Sequence, residues 1–265
     1  MTITPGPQQC NAQETGGRRQ IMRALTAIIL AAFLSGCMLA ARAPMDVLTY
    51  KNPDNETANE CLIVFLRGMG GSHRSFEQEG LVADVWARGL PFDMVAPNAH
   101  VGYYGDRNLI ERLKEDVIDP ARARGYKKIW LVGISMGGLG ALLYLMERPQ
   151  DITGVYLIAP FLGSQSILAE IEEAGGVRQW NPGHYVAADN WQRMLWHWMK
   201  TTLADSPDKI VYLGYGTGDL YQRGPQLLAA LLPPGRVYVI DGGHDHPTFK
   251  ALWKIFLTND AKLRN

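Results

Sequence analysis

One segment of the chain, residues 127–146, constrains the fold more than any other. It begins with an apolar run at residues 129–132, which is typical of a strand buried on both faces of a parallel sheet. The run leads into Gly-Ile-Ser-Met-Gly, and apolar side chains then recur at the helical spacing of positions 139, 142, 143 and 146. The segment therefore predicts a strand, a sharp turn that carries Ser135, and a helix.

The glycines of this turn, Gly133 and Gly137, have a steric reason. The strand and the helix come so close on either side of the serine that side chains at these two positions would collide. A G-x-S-x-G turn between a strand and a helix is a nucleophile elbow, whose strained backbone projects the serine hydroxyl above the sheet. The alternative is a glycine-rich turn with an idle serine, but the flanking strand and helix favour a catalytic Ser135. The free N–H of Met136, in the first turn of the helix, can then face a developing oxyanion.

Other apolar runs recur along the chain and alternate with helical patterns, at residues 61–66, 93–97, 152–159, 210–213 and 236–240. This alternation predicts an α/β domain over residues 46–265, with a mostly parallel central sheet and helices on both faces. The chain has 265 residues, 47% of them hydrophobic, which suffices for one full core. Its formal net charge of zero argues against nucleic acid as the main partner.

Residues 161–206 break the alternation and contain four of the seven tryptophans, so we expect a small helical cap insertion over the strand ends. One helix face within it is predicted to be core: Trp191, Leu195, Trp198 and Met199. Trp196 lies off that face and either contacts substrate or covers apolar surface. Tyr103 and Tyr104, in a loop after another strand, either line the pocket or pack.

Two further polar side chains follow strands of the predicted sheet. Asp219 follows the run at residues 210–213, and His244 follows the run at residues 236–240. Because the carboxyl ends of parallel strands meet at one edge of a sheet, both should converge with Ser135. His244 would then act as the general base, and Asp219 would fix its tautomer and stabilise the imidazolium.

Several alternatives to these assignments stay open. His246 could replace His244 as the base, and the two histidines together could suggest a metal, although no third ligand has a matching spacing. Asp245 is predicted as a cap near the start of the last helix rather than as the acid. Two other aspartates follow no strand and are weaker rivals of Asp219: Asp189 and Asp208. We expect neither a metal nor a cofactor.

The elbow and the chain order serine, aspartate, histidine resemble the α/β-hydrolase superfamily, from about residue 45 to the end. Gly-Gly-His-Asp, at residues 242–245, is similar to the esterase D-like branch. The resemblance implies that the loop after residues 61–66 supplies the second oxyanion donor, for which the N–H of Met69 is the candidate. Many members of the superfamily carry His-Gly in this loop, whereas this chain has Arg67 before Gly68, and the role of Arg67 stays open.

The resemblance implies a serine hydrolase that cleaves a small-molecule carboxylic ester through an acyl-enzyme. A second interpretation keeps the same three residues and makes the protein a thioesterase, an amidase or an acyltransferase. A third makes it a non-catalytic envelope protein with a relict hydrolase fold, because fold alone does not prove activity.

The N-terminal residues predict a leader and an anchor. Basic Arg23 precedes an apolar segment at residues 25–34, which as a helix would cover only about 15 Å of a hydrocarbon core about 30 Å thick. It is therefore a signal-peptide core rather than a span. Leu-Ser-Gly-Cys, ending at Cys37, resembles the lipobox of bacterial lipoproteins, although an ordinary secretory signal with a coincidental cysteine is the alternative.

The lipobox resemblance divides the N-terminal part of the chain. It implies a leader over residues 1–36 that is removed, lipid attachment to the Cys37 thiol, and a tether over residues 37–45. The protein would then be anchored to a membrane of the bacterial cell envelope and face the periplasm. Translation could begin at Met1 or at Met22, where the basic flank would be N-terminal.

Overall fold

A seven-stranded sheet organises the computed structural model, which describes residues 40–51, 59–206 and 209–258. The strands are β1 Val47–Tyr50, β2 Cys61–Leu66, β3 Phe92–Pro97, β4 Lys128–Ile134, β5 Gly154–Ile158, β6 Ile210–Gly216 and β7 Val237–Ile240. Their order across the sheet is β1-β3-β2-β4-β5-β6-β7. Only β1, at one edge, pairs antiparallel with its neighbour; the other pairings are parallel.

Ten α-helices connect these strands within the described residues. They are α1 Ser75–Gln78, α2 Leu81–Trp86, α3 Val101–Gly105, α4 Leu109–Leu113, α5 Asp119–Ala123, α6 Met136–Glu147, α7 Gln165–Glu173, α8 Trp191–Thr201, α9 Arg223–Ala229 and α10 His246–Thr258. A π-helical turn, Lys114–Ile118, joins α4 to α5. The predicted mostly parallel α/β sheet is confirmed.

The central strands are buried on both faces, as their continuous apolar sequences require. In β2, Leu62 and Val64 point into one apolar layer, whereas Ile63 and Phe65 point into the other. Both layers are closed by helices, so the sheet is a rigid platform and the loops at its carboxyl edge are fixed in place.

The layer that contains Phe65 is covered by α1, α2 and α10. The Phe65 ring stacks on Phe76 of α1 at 4.6 Å and meets Trp253 of α10 edge-on at 5.5 Å. The indole N–H of Trp253 donates to the Leu81 carbonyl oxygen at 3.0 Å. These contacts hold α10 against the sheet and thereby position the loop that precedes it.

The other layer includes the segment predicted as a cap. Its helices α7 and α8 contribute buried side chains to the same apolar cluster as β4, β5 and β6. Leu195 and Met199 are fully buried, as predicted, whereas Trp191 and Trp198 are only half-buried and pack against the outside of that cluster. Trp196 is also fully buried, and its indole N–H donates to the Leu162 carbonyl at 2.8 Å. The possibility that Trp196 contacts substrate is therefore wrong. Trp196 lies off the apolar face of its helix, but tertiary packing buries it.

The residues just before β1 are fixed to the domain. The N–H of Met45 donates to Asp116 Oδ2 at 2.8 Å, and the Tyr103 hydroxyl donates to the Arg42 carbonyl oxygen at 2.8 Å. The packed domain thus begins a few residues before the predicted boundary at 46. The predicted leader, its apolar segment and Cys37 lie outside the described residues. No helix among the described residues has the length and apolarity needed to span a bilayer.

Candidate active site

Ser135 stands at the turn between β4 and α6 with a strained backbone. Its φ of 53° and ψ of −115° are unusual for a residue with a side chain. The turn is held by hydrogen bonds: the N–H of Ser135 donates to the Ile158 carbonyl at 2.9 Å, and its own carbonyl accepts from Phe161 at 3.0 Å. The hydroxyl does not cap α6, so it is available to other partners.

The close approach predicted around the elbow is confirmed. A Cβ at Gly133 would lie 2.2 Å from the Gly137 carbonyl oxygen, and a Cβ at Gly137 would lie 2.0 Å from the Leu66 carbonyl oxygen. Both obstacles are backbone atoms, which no side-chain rotation can move aside. Glycine at these positions therefore lets the start of α6 lie directly against β2 and β4.

The structure brings Ser135, His244 and Asp219 into one hydrogen-bonded chain. Nε2 of His244 lies 3.0 Å from the Ser135 hydroxyl oxygen, and Nδ1 of His244 lies 2.7 Å from Asp219 Oδ2. An ionised carboxylate only accepts hydrogen bonds, so Nδ1 carries the proton and donates it. Nε2 of the neutral imidazole is then left unprotonated and can accept the hydroxyl proton of Ser135.

Asp219 is completely buried and is held on both oxygens. Its Oδ1 accepts from the backbone N–H of Tyr221 at 2.7 Å, while Oδ2 faces His244. The Tyr221 ring also packs edge-on against the imidazole at 4.8 Å, and Phe249 of α10 packs against it at 5.0 Å. These contacts fix both the orientation of the imidazole ring and its tautomer, which a general base requires.

The two candidate oxyanion donors flank the serine. Met136 follows Ser135 directly and begins α6, so its N–H has no acceptor within the helix. A Cβ at Gly68 would lie 3.3 Å from the Ser135 Cβ, which shows that the loop after β2 passes beside the nucleophile. Met69 follows in that loop, with a side chain 71% exposed.

A cleft of about 210 Å³ opens beside Ser135 and His244. Its walls come from the loop after β2, from α1 and the start of α2, from the elbow and from the loop that precedes α10. Arg67 and Met69 line it, whereas none of its lining residues belongs to the segment 161–206. This cleft is thus built at the carboxyl edge of the sheet, and the segment predicted as a cap does not line it.

The residues weighed as alternative base or acid lie away from Ser135 or have other partners. His246 is exposed, and its Nδ1 lies 3.8 Å from Glu79 Oε1. Asp245 accepts the N–H of Thr248 at 3.0 Å and so caps α10, as predicted. Asp189 hydrogen-bonds through its backbone in the turn before α8, and Asp208 lies outside the described residues. Among the described residues, no group of three or more potential metal ligands comes together.

The two tyrosines of α3 pack rather than line the cleft. Tyr103 is buried and bonded to Arg42, and the Tyr104 hydroxyl donates to the Met136 carbonyl oxygen at 2.9 Å. Burial raises the pKa of Tyr104, which keeps this phenol a neutral donor. Tyr104 thus supports the first turn of α6, a role that the sequence did not indicate.

Sequence reasoning also missed Tyr221 and the setting of Arg67. Tyr221 donates its N–H to Asp219 and packs its ring against His244. Nothing in the sequence around Asp219 indicates this double role. The sequence shows Arg67 only as a departure from His-Gly. It does not indicate that this arginine is buried.

Comparisons with known proteins agree with this architecture. Residues 107–222, a little under half of the chain, match the family model Hydrolase_4, described as "Serine aminopeptidase, S33". The matched region contains Ser135 and Asp219 and ends before His244. No curated protein matches the chain.

Several solved structures resemble it over most of their length. The enzyme Est1E of Butyrivibrio proteoclasticus aligns with a TM-score of 0.56 at 16% identity, covering 84% of this chain and 98% of its own. The S-formylglutathione hydrolase FrmB of Staphylococcus aureus aligns with a TM-score of 0.55 at 12% identity, covering 84% and 99%. The fluorophosphonate-binding serine hydrolase F of the same organism aligns with a TM-score of 0.53 at 12% identity, covering 82% of this chain and 99% of its own.

The sheet order, the elbow and these likenesses define the class. The chain has the α/β-hydrolase fold, as the resemblance in its sequence implied. At such low identities the structural likeness shows this fold alone, and any activity must be inferred from the residues of the site.

Proposed function

We propose that this protein is a serine hydrolase that cleaves a carboxylic ester through an acyl-enzyme intermediate. The observation that carries the proposal is the continuous hydrogen-bonded chain from the Ser135 hydroxyl through His244 to buried Asp219, with contacts of 3.0 and 2.7 Å. Such a chain is the arrangement that turns a weakly nucleophilic hydroxyl into an attacking group. The cleft beside the hydroxyl supplies the space for an acyl group.

In the proposed mechanism each group has one step. Ser135 Oγ attacks the ester carbonyl while its proton passes to His244 Nε2, and Asp219 stabilises the imidazolium that forms. The N–H groups of Met69 and Met136 receive the oxyanion; in precedents, one such donor is worth about 2.7–4 kcal/mol. The imidazolium then gives the proton to the leaving alkoxide, and water, activated by the same imidazole, releases the acid and regenerates Ser135.

Structural relatives are consistent with ester chemistry. A ferulic acid esterase aligns with a TM-score of 0.51 at 18% identity, and Est1E has also been seen with ferulic acid bound. The named activity and the bound acid are properties of those proteins. For this chain, the neighbours support hydrolysis of a small ester without indicating which acyl group it accepts.

A covalent probe and an ester panel test this proposal. A fluorophosphonate should label the native protein and should fail to label Ser135→Ala; absence of labelling in both would favour a relict fold. Untreated wild-type protein should hydrolyse para-nitrophenyl esters of rising acyl length, whereas Ser135→Ala and the fluorophosphonate-treated protein should not. A competing alcohol that diverts most acyl groups into a new ester would instead indicate an acyltransferase.

We also propose that Cys37 is lipidated and holds the domain at a membrane of the cell envelope, facing the periplasm. The support is the sequence: a basic flank, a short apolar segment and Leu-Ser-Gly-Cys. Radiolabelled palmitate should enter the wild-type protein and not Cys37→Ser, which should leave the membrane fraction. Equal membrane association of the two proteins would refute the anchor.

A further inference from the structure

Arg67 is a buried cation in the wall of the active-site cleft. Only 8% of the residue is exposed, and it lines the cleft together with Ser135 and His244. Its Nε is fully buried without a hydrogen-bond partner, whereas its terminal nitrogens are not among the fully buried unpaired atoms. Because the residue lines the cleft and is otherwise enclosed, we infer that these terminal nitrogens meet solvent there.

No carboxylate of the described residues neutralises this guanidinium. Burial lowers the pKa of Arg67, and the phenol of Tyr104, which opposes this shift, is neutral at neutral pH and supplies no negative charge. Glu79 and Asp245 line the same cleft, but neither pairs with Arg67. Glu79 lies next to His246, and Asp245 accepts the Thr248 N–H as the cap of α10. Arginine nevertheless stays protonated in proteins, so the positive charge remains.

The neighbouring histidines add no further positive charge to this wall. His100 accepts the Gly102 N–H on Nδ1 at 3.1 Å, and burial together with Arg67 lowers the pKa of His100. Burial also lowers the pKa of His73, whose Nε2 lies 3.1 Å from Asp46. Both rings are therefore neutral near neutral pH. The wall of the cleft next to the nucleophile keeps one uncompensated positive charge.

A buried charge without a partner is costly, and proteins place such charges where a ligand supplies the opposite charge. The planar guanidinium presents paired N–H donors that match the two oxygens of a carboxylate or the oxygens of a phosphate. We propose that Arg67 binds an anionic group, a carboxylate or a phosphate, on the substrate whose ester Ser135 attacks. This inference rests on the proposed function and adds a substrate class to it: esters that carry a negative charge.

A different role for Arg67 makes a different prediction. If the guanidinium stabilised the oxyanion itself, its loss would slow neutral and anionic esters by the same factor. If it binds a charge on the substrate, its loss removes the preference between them. The ratio of kcat/KM for an anionic ester to that for its neutral counterpart therefore separates the two roles.

Three anionic esters place the charge differently. Para-nitrophenyl hydrogen glutarate carries a carboxylate on the acyl group and is compared with para-nitrophenyl pentanoate. Para-butanoyloxybenzoate carries a carboxylate on the leaving group, and para-butanoyloxyphenyl phosphate carries a phosphate there; both are compared with methyl para-butanoyloxybenzoate. The wild-type protein should prefer at least one anionic ester by about ten- to hundredfold in kcat/KM, the range of a charge-assisted hydrogen bond. Which ester is preferred distinguishes carboxylate from phosphate.

Two arginine variants then locate the preference. Arg67→Met should abolish the preference for the anionic ester. Arg67→Lys should retain part of this preference, because the positive charge remains but the paired N–H donors of the guanidinium are lost. Arg74→Met removes the same charge from an exposed residue seven positions along the chain and should keep the wild-type ratio. Fluorophosphonate labelling of each variant verifies that its site is folded.

The possible results are distinct. The inference is overturned if untreated wild-type protein from a preparation that reacts with fluorophosphonate prefers no anionic ester, if Arg67→Met keeps the preference, or if Arg74→Met loses it as well. Should Arg67→Met fail to fold, the wild-type preference and the Arg67→Lys ratio still decide. If the wild-type protein neither reacts with fluorophosphonate nor cleaves any of these esters, it is the proposed function that fails.

Discussion

Replacement of Asp219 by asparagine is the most informative change that the site allows. Asp219 Oδ1 accepts the Tyr221 N–H at 2.7 Å, and Oδ2 accepts from His244 Nδ1 at 2.7 Å. An asparagine in the same place must keep its carbonyl oxygen towards the Tyr221 N–H, because that buried donor needs an acceptor. Its NH₂ group would then point at Nδ1 of His244 and donate to it.

This reversal imposes the wrong tautomer. Nδ1 becomes an acceptor, so the proton of the neutral imidazole moves to Nε2, which can no longer take the Ser135 proton. The variant also lacks the negative charge that stabilises the imidazolium. A triad that suffers both losses slows by about 10⁴-fold in kcat, which corresponds to about 5.5 kcal/mol of transition-state stabilisation.

The assay is hydrolysis of a para-nitrophenyl ester at neutral pH, with unfolding monitored in parallel. Asp219→Asn should lose about 10³- to 10⁴-fold in kcat. Asp241→Asn is the matched control, since this carboxylate lies in the loop before His244, is exposed and accepts from Thr217 Oγ1 at 3.0 Å. A folded Asp219→Asn that keeps a tenth of the wild-type kcat would refute the role assigned to Asp219.

Three further predictions concern the framework around the site. Gly137→Ala should lower the free energy of unfolding by about 3 kcal/mol in urea titrations, because its Cβ would overlap a backbone oxygen of β2, whereas Gly235→Ala, in open space, should not. Trp196→Phe should cost about 2 kcal/mol, since a buried carbonyl loses its donor, yet leave kcat/KM within about twofold. Glu170→Gln should destabilise the protein at neutral pH: hydrogen bonds from Arg193 lower the pKa of Glu170 below its usual 4.5, so the stabilisation is lost only as pH falls through that lowered pKa.

Each of these has a contradicting result. An unchanged urea midpoint for Gly137→Ala would mean that the strand and helix are not in contact as described. A large fall in kcat/KM for Trp196→Phe would place that side chain at the substrate. A difference between Glu170→Gln and the wild type that grows on acidification would reverse the sign worked out for the ion pair.

Much of the site was predictable because its signals are local. The elbow needs a strand, two glycines and a helix within a few residues, and these are contiguous around Ser135. The continuous apolar runs predict strands buried on both faces, and parallel strands bring their following loops to one edge. Asp219 and His244 could thus be placed beside Ser135 from their positions after two strands.

The parts that escaped prediction depend on tertiary contacts. Trp196 lies off the apolar stripe of its helix, yet the sheet side of the domain encloses it completely. The spacing of Leu109, Leu113 and Val117 is typical of a continuous helix, but the structure has a π-helical turn at Lys114–Ile118, and all three residues remain buried. The sequence also could not predict that Arg67 lacks an acidic partner, because it does not show which carboxylates lie near a given cation in the fold.

Catalysis as proposed depends on proton transfer from Ser135 to His244, and the most direct test is to trap the acyl-enzyme. The protein is mixed with a para-nitrophenyl ester, quenched in acid within a turnover and analysed by intact mass and peptide mapping. We expect an acyl adduct on Ser135 in the wild type and none in His244→Ala within the same interval. An adduct on another residue, or equal acylation of Ser135 without His244, would contradict the mechanism.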